Sequence, residues 1–180
     1  MRPGIRTTVH VALTAVVAVL LGGCGLTHLQ DLNFRVDDRL HFTSPENRAT
    51  VHQPLTVSWT MRDFRIAAQG SEPASDGAGY FAIFVDRAPI RPEQTMKAVA
   101  HGDRFCEQSP RCPDTAYLAQ RQVYTTTKTT FRLPQIPNLV GSQEKLQLHS
   151  ITVVLMDTAG HRIGESAWEL DVRIPKVGFS

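Results

Sequence analysis

The chain has 180 residues, with 19 Lys and Arg against 17 Asp and Glu, and 3 Cys. That length accommodates one ordinary domain with a short extra segment. A net charge of +2 argues against an electrostatic nucleic-acid binder, and 42% hydrophobic with 20% charged residues excludes wholesale disorder.

Residues 1–8 carry Arg2 and Arg6 and no acid. Residues 9–21 then run apolar, interrupted by His10 and Thr14. The run has the length of a signal-peptide apolar region and is short for a bilayer span of roughly 20 residues. Leu21-Gly22-Gly23-Cys24 follows. It resembles the lipobox of bacterial lipoproteins: Leu three places before the Cys, small residues between, and the Cys itself. The resemblance implies a signal peptide over 1–23, a diacylglyceryl thioether on Cys24, and cleavage before Cys24. It also allows a further acyl chain, such as palmitate, on the new amine. Two or three chains at roughly 0.8 kcal/mol per buried CH₂ anchor stably where one is marginal. An uncleaved membrane anchor, or secretion with Cys24 a plain thiol, are the competing readings.

Cleavage removes 23 of the 180 residues and takes Arg2 and Arg6 with it. The mature chain then has 17 basic against 17 acidic residues, so the pI of about 8.6 is partly a property of the leader. A neutral domain is drawn only weakly to anionic lipid, which leaves the anchoring to the acyl chains. The expected organisation is a short membrane tether over 24–38, a β-sandwich over 39–175 and a tail over 176–180.

Helical periodicity is nearly absent from the mature chain and alternation dominates. Residues 32–36 alternate and extend the first strand backwards; 40–42 form a weak strand. Leu55–Met61 places Leu55, Val57, Trp59 and Met61 on one face, with Thr and Ser on the other. Residues 70–79 read as an exposed polar loop. Residues 80–85 are a nearly continuous apolar run, which fits a central strand covered on both faces. Met96–Ala100 reads as a further weak strand. Residues 117–124 fit one short helical turn or an edge strand. Residues 129–133 are again a weak strand. Residues 148–156 are a second apolar run, 157–161 a tight turn, and 162–174 the returning strand with Trp168, Leu170, Val172 and Ile174 inward. Both Trp59 and Trp168 are expected in the core.

About seven short strands point to an all-β sandwich. Ser44-Pro-Glu-Asn-Arg-Ala-Thr-Val51 followed by Leu55-Thr-Val-Ser-Trp59 resembles the opening of bacterial Ig-like and fibronectin III-like extracellular domains. Arg48 stands where those domains carry Gly, and Asn47 is available for the left-handed turn. The resemblance implies an Ig-like antiparallel β-sandwich and no chemistry, because the fold hosts many functions.

Cys106 and Cys112 lie in a loop-like stretch. The exported address implied by the lipobox makes a disulfide permissible there. With Cys24 acylated, these two are each other's remaining partners. A metal reading would need His101, Asp103 or Asp114 as further ligands, and a C-x₅-C spacing matches no common zinc site. Phe105, Tyr117 and Tyr124 flank this loop as exposed aromatics. A loop stapled by a bridge and flanked by aromatics is a candidate binding lip, since prior ordering lowers the entropic cost of binding.

No catalytic residues are assigned. Gly164-Glu-Ser-Ala-Trp168 lacks the second Gly of a nucleophile elbow, and Ser166 sits within a predicted strand. No metal-protease helix, P-loop or dinucleotide fingerprint occurs. The histidines are scattered, and His149 is expected on a strand surface. Asp37, Asp38, Asp103 and Asp114 read as solvated loop acids. The sequence therefore points to a lipid-anchored extracytoplasmic module at the bacterial cell envelope. It would act as a non-catalytic binding or accessory subunit without a cofactor. The membrane is met through the lipid on Cys24, a membrane-associated envelope protein is the expected partner, and no nucleic acid is involved. The alternatives are a copper-binding periplasmic-type sandwich and a hydrolase with an unrecognised site. Fully extended at about 3.3–3.6 Å per residue, Cys24 to Leu32 reaches about 30 Å, and to Leu40 about twice that.

Overall fold

The computed structural model describes residues 37–176. A compact unit begins at Asp37, two residues before the expected start of the sandwich. The leader, Cys24 and the alternating residues 32–36 lie outside the described residues.

The described strands are β1 (Leu40–Ser44), β2 (Ala49–Thr50), β3 (Leu55–Met61), β4 (Arg65–Ile66), β5 (Ala78–Val85), β6 (Val123–Thr126), β7 (Thr130–Leu133), β8 (Leu146–Asp157) and β9 (Trp168–Pro175). A 3₁₀ helix (Met96–Ala100) and two short helices, α1 (Arg104–Glu107) and α2 (Thr115–Gln120), lie between β5 and β6. The strands form two sheets. The smaller has the order β1-β3-β7; the larger has the order β2-β9-β8-β5-β4, with β6 also paired to β5. Most pairings are antiparallel, and only the two-residue strands β2 and β4 pair in parallel. These two pieces carry the strand number past the expected seven. No helix among the described residues is long and apolar enough to cross a membrane.

Alternation builds the layer between the sheets. On β3, Leu55, Val57 and Trp59 are buried while Thr56 and Thr60 are exposed. They meet Phe81, Ile83 and Val85 of β5, Ile151, Val153 and Leu155 of β8, and Trp168, Leu170, Val172 and Ile174 of β9. Each such side chain contributes roughly 1.5–3 kcal/mol on full burial. The Trp59 ring packs edge-on against Phe81, centroids 5.2 Å apart, and against Phe42 at 6.4 Å.

The remaining residues of β5 and β8 face the other way. Tyr80, Ala82, Phe84, Val154 and Met156 form a second core, covered by Ile90, Leu118 and Val123 and by the partly buried Met96, Ala98 and Val99. Residues 86–122 therefore lie over the outer face of the large sheet, and β5 is buried at every position. This is why 80–85 reads as a continuous apolar run.

Several expectations are corrected. Met96–Ala100 is a 3₁₀ helix, not a strand. Thr95 caps it by accepting from the Lys97 amide, and Met96, Ala98 and Val99 pack down on the second core. Five residues with a single polar side chain, Lys97, satisfy either period. Residues 117–124 hold both candidate elements, the end of α2 and the start of β6, hinged at Gln122 with φ +57°. The polar loop ends at Gly77; Ala78 and Gly79 belong to β5 and are buried. Arg48, not Asn47, takes the left-handed conformation, with φ +61°. The Asn47 side chain instead accepts from the Asp171 amide at 3.0 Å.

The last strand is shorter than expected. The turn after β8 closes with the Gly160 amide on the Asp157 carbonyl at 3.1 Å. Arg162 bridges to Met156, and the chain then leaves the sheet over 164–167 before β9 begins at Trp168 opposite Val153. Gly164 has φ +59°, which suits glycine at the departure. Arg162 turns inward and is buried. It donates to the Ile90 carbonyl, to Glu165 O at 2.8 Å and to Ser166 O at 3.3 Å. The guanidinium thus ties the bulge to the outer layer.

Where the compact unit starts, Asp37 is latched to β9. Its carboxylate accepts from Arg39 at 2.8 Å and from the Ser166 hydroxyl at 2.6 Å, and its carbonyl accepts from Trp168 Nε1 at 2.7 Å. Ser166 is thereby engaged, and it lies outside any strand.

Candidate functional site

The candidate site is built on residues 101–121. Asp103 starts α1: its side chain accepts from the Cys106 amide at 3.2 Å. Asp114 starts α2 in the same way, accepting from the Tyr117 amide at 2.8 Å. Short polar residues at these positions satisfy amides that the first helical turn leaves open. Cys106 of α1 is bridged to Cys112 in the segment leading to α2, Cα atoms 5.1 Å apart.

A second clasp joins α1 to α2. Asp103 Oδ2 accepts from the Tyr117 hydroxyl at 2.9 Å and from Arg121 Nη2 at 3.1 Å. The Arg121 guanidinium sits 3.5 Å over the Tyr117 ring. The Cys106 amide and then the Tyr117 hydroxyl hold the Asp103 carboxyl below the usual carboxylate range. Burial and then Asp103 push the Tyr117 phenol up. The arrangement presents donors, a planar cation and an aromatic ring on a stapled support.

Phe105 stands 90% exposed on α1, beside this clasp. It lines a depression of about 750 Å³ together with Arg111, Tyr117 and Arg121. A second groove of about 540 Å³ shares Arg111, Cys112 and Asp114 with it and runs down to Tyr80 of β5. The structure thus brings Phe105, Tyr117 and the cysteine pair together. Tyr124 lies apart on β6, with its ring 5.3 Å from Phe131 and packed against the layer between the sheets. Asp103 and Asp114 line the first depression, each already committed as a helix start. Trp59 and Trp168 are buried, as alternation predicts. Among the described residues, no group of three or more His, Cys, Asp and Glu is placed to hold a metal ion.

His149 is a correction: it is 1% exposed rather than on the strand surface. Its Nδ1 lies 2.7 Å from Asp86 Oδ2, and Asp86 Oδ1 accepts from the Ser150 amide at 3.0 Å. His149 has the parity of Ile151 and Val153, so it points into the layer between the sheets. Asp86, with φ +52°, turns the chain out of β5 into residues 86–122. Sequence reasoning also missed the groove over Tyr80, because a tyrosine within an apolar run reads as core.

Comparisons with family models, curated proteins and solved structures match nothing to this chain.

Proposed function

We propose that the chain is a lipid-anchored, extracytoplasmic Ig-like module that serves as a non-catalytic binding or accessory subunit at the bacterial cell envelope. Residues 101–121 are its recognition surface. The observation that carries this reading is Phe105. A phenylalanine left exposed on a support ordered by a bridge, two helix starts and the Asp103–Tyr117–Arg121 clasp gives up little conformational freedom on binding. Aromatic and arginine side chains are also the types that dominate binding energy at protein interfaces.

The leader supports the location. Acylation at Cys24 would hold the sandwich within a short reach of the bilayer, and tethering raises the effective concentration of membrane-associated partners. The Ser44–Val51 turn supports the Ig-like assignment, because Arg48 adopts the left-handed conformation at the place where Ig-like domains carry Gly.

The test of the anchor is Cys24→Ser. The wild-type chain partitions into detergent and carries the mass of its acyl chains, and the variant partitions into the aqueous phase without that mass. A variant that stays in the detergent phase with an unchanged mass difference overturns the lipid anchor.

A further inference from the structure

We propose that the groove between the disulfide loop and Tyr80 is a binding site for a small organic carboxylate. The groove needs no lipid anchor, and it shares Arg111 with the depression that Phe105 lines.

Tyr80 forms the floor. The residue is 5% exposed: its ring is buried, while its hydroxyl, bonded to no protein group among the described residues, opens onto the groove. The space above this hydroxyl is kept open by Gly160. A Cβ placed there would lie 3.6 Å from Tyr80 Oη and 2.6 Å from Gln69 Nε2, and φ of +95° disfavours any side chain. Burial, and then Asp157, push the phenol up to about 12, so at neutral pH it keeps its proton and has it to donate.

The walls supply charge of one sign in excess. Lys97 and Arg111 line the groove, and neither has an ion-pair partner among the described residues. Asp114 is the one lining carboxylate among the described residues, and it already accepts from the Tyr117 amide. Among the lining residues the balance is one positive charge; Asp157, which acts on the Tyr80 phenol, is outside the lining and accepts from the His161 amide. A carboxylate monoanion matches that charge, and its bonds to cationic donors are the stronger, charge-assisted kind. A phosphate dianion would leave charge unbalanced. Met96, Leu118 and Pro113 offer apolar surface for the body of the ligand. The volume of about 540 Å³ falls within the roughly 300–1,000 Å³ of small-molecule sites.

The test uses the full chain purified in detergent, titrated with phenylacetate and followed by NMR shifts. Phenylacetamide, a neutral shape mimic, and inorganic phosphate are the comparison arms. Saturable millimolar or tighter binding of phenylacetate is expected. It should weaken about tenfold in Tyr80→Phe and in Arg111→Gln, and it should stay unchanged in Lys128→Gln, which lies outside the groove. Tyr80→Phe removes a hydroxyl that bonds to no protein group, so the variant keeps its melting temperature. Phenylacetamide should bind at least about tenfold more weakly than phenylacetate. Absence of saturable phenylacetate binding overturns the site. So do equal binding of the amide, and folded variants that bind as the wild type does. Phosphate binding as tight as phenylacetate overturns the carboxylate assignment.

Discussion

The large sheet has two faces, and they are closed by different means. Its inner face meets β1, β3 and β7 through large interlocking side chains, among them Trp59, Phe81 and Leu155. Its outer face is covered by residues 86–122, whose helices are only four to six residues long. Helices that short do not hold themselves together. The outer layer packs Ile90 and Leu118 onto the second core and is further held by discrete polar and covalent ties: Arg162 on three carbonyls, the Asp103–Tyr117–Arg121 clasp, two capping carboxylates and one bridge. The difference teaches where change is tolerated. Breaking the inner packing should unfold the whole domain, whereas breaking a tie should loosen the outer layer and its grooves first.

The largest effect tests the inner face. Trp59→Ala should cost about 3–5 kcal/mol, a large part of a total of roughly 5–15 kcal/mol. Trp59→Phe should cost far less, because the buried indole N–H has no partner to lose. Denaturant unfolding measures both, and equal costs for the two variants would break this account of the inner layer.

Arg162→Met should come next, at about 2–3 kcal/mol, because it strands the buried Ile90 carbonyl and frees two partly buried ones. Hydrogen exchange should show protection lost in 86–122 before β8 and β9. Uniform loss across both layers would show that the layers are not separable.

How far the sequence reveals these layers depends on how local the ordering is. β3 and β9 are legible because period-two burial is written in consecutive residues. The outer layer is legible only where its ties are local, as at Cys106 and Cys112, because the tie that fixes it to the sheet joins residues distant in the chain. Arg162 reads as one more residue of a strand, yet its partner is Ile90. Asp86 and His149 sit 63 residues apart and look like a loop acid and a surface histidine. Phe105 and Tyr117 are legible as aromatics beside cysteines. Tyr124 is not separable from them by spacing, since only the turn at Gln122 sends it to β6.

Removing the bridge with Cys106→Ser and Cys112→Ser should cost about 2 kcal/mol on a chain-entropy basis for so small a ring. The loss of exchange protection should be confined to 104–122. An unchanged melting temperature and unchanged protection there would sharpen the comparison toward the Asp103 clasp as the main tie.

The smallest effect is at the latch. Hydrogen bonding to Arg39, and then to Ser166 against the opposing burial, lowers the Asp37 carboxyl from 3.8 to about 2. A folded pKa below the unfolded value adds stability above pH about 4, lost as pH falls toward about 2. Solvent screening at this partly exposed pair holds the contribution to about 1 kcal/mol. Asp37→Asn should flatten that part of the acid-unfolding curve, and an unchanged curve would remove Asp37 from the balance.

The central claim is that residues 101–121 recognise a membrane-associated partner while the sandwich carries them. Photo-crosslinking in cells tests it most directly, with benzoylphenylalanine in place of Phe105 and, in a second strain, of the exposed Thr56 on β3. The account predicts adducts to a membrane-associated protein from position 105 and none from position 56. Equal adducts from both positions, or none from position 105, would contradict it.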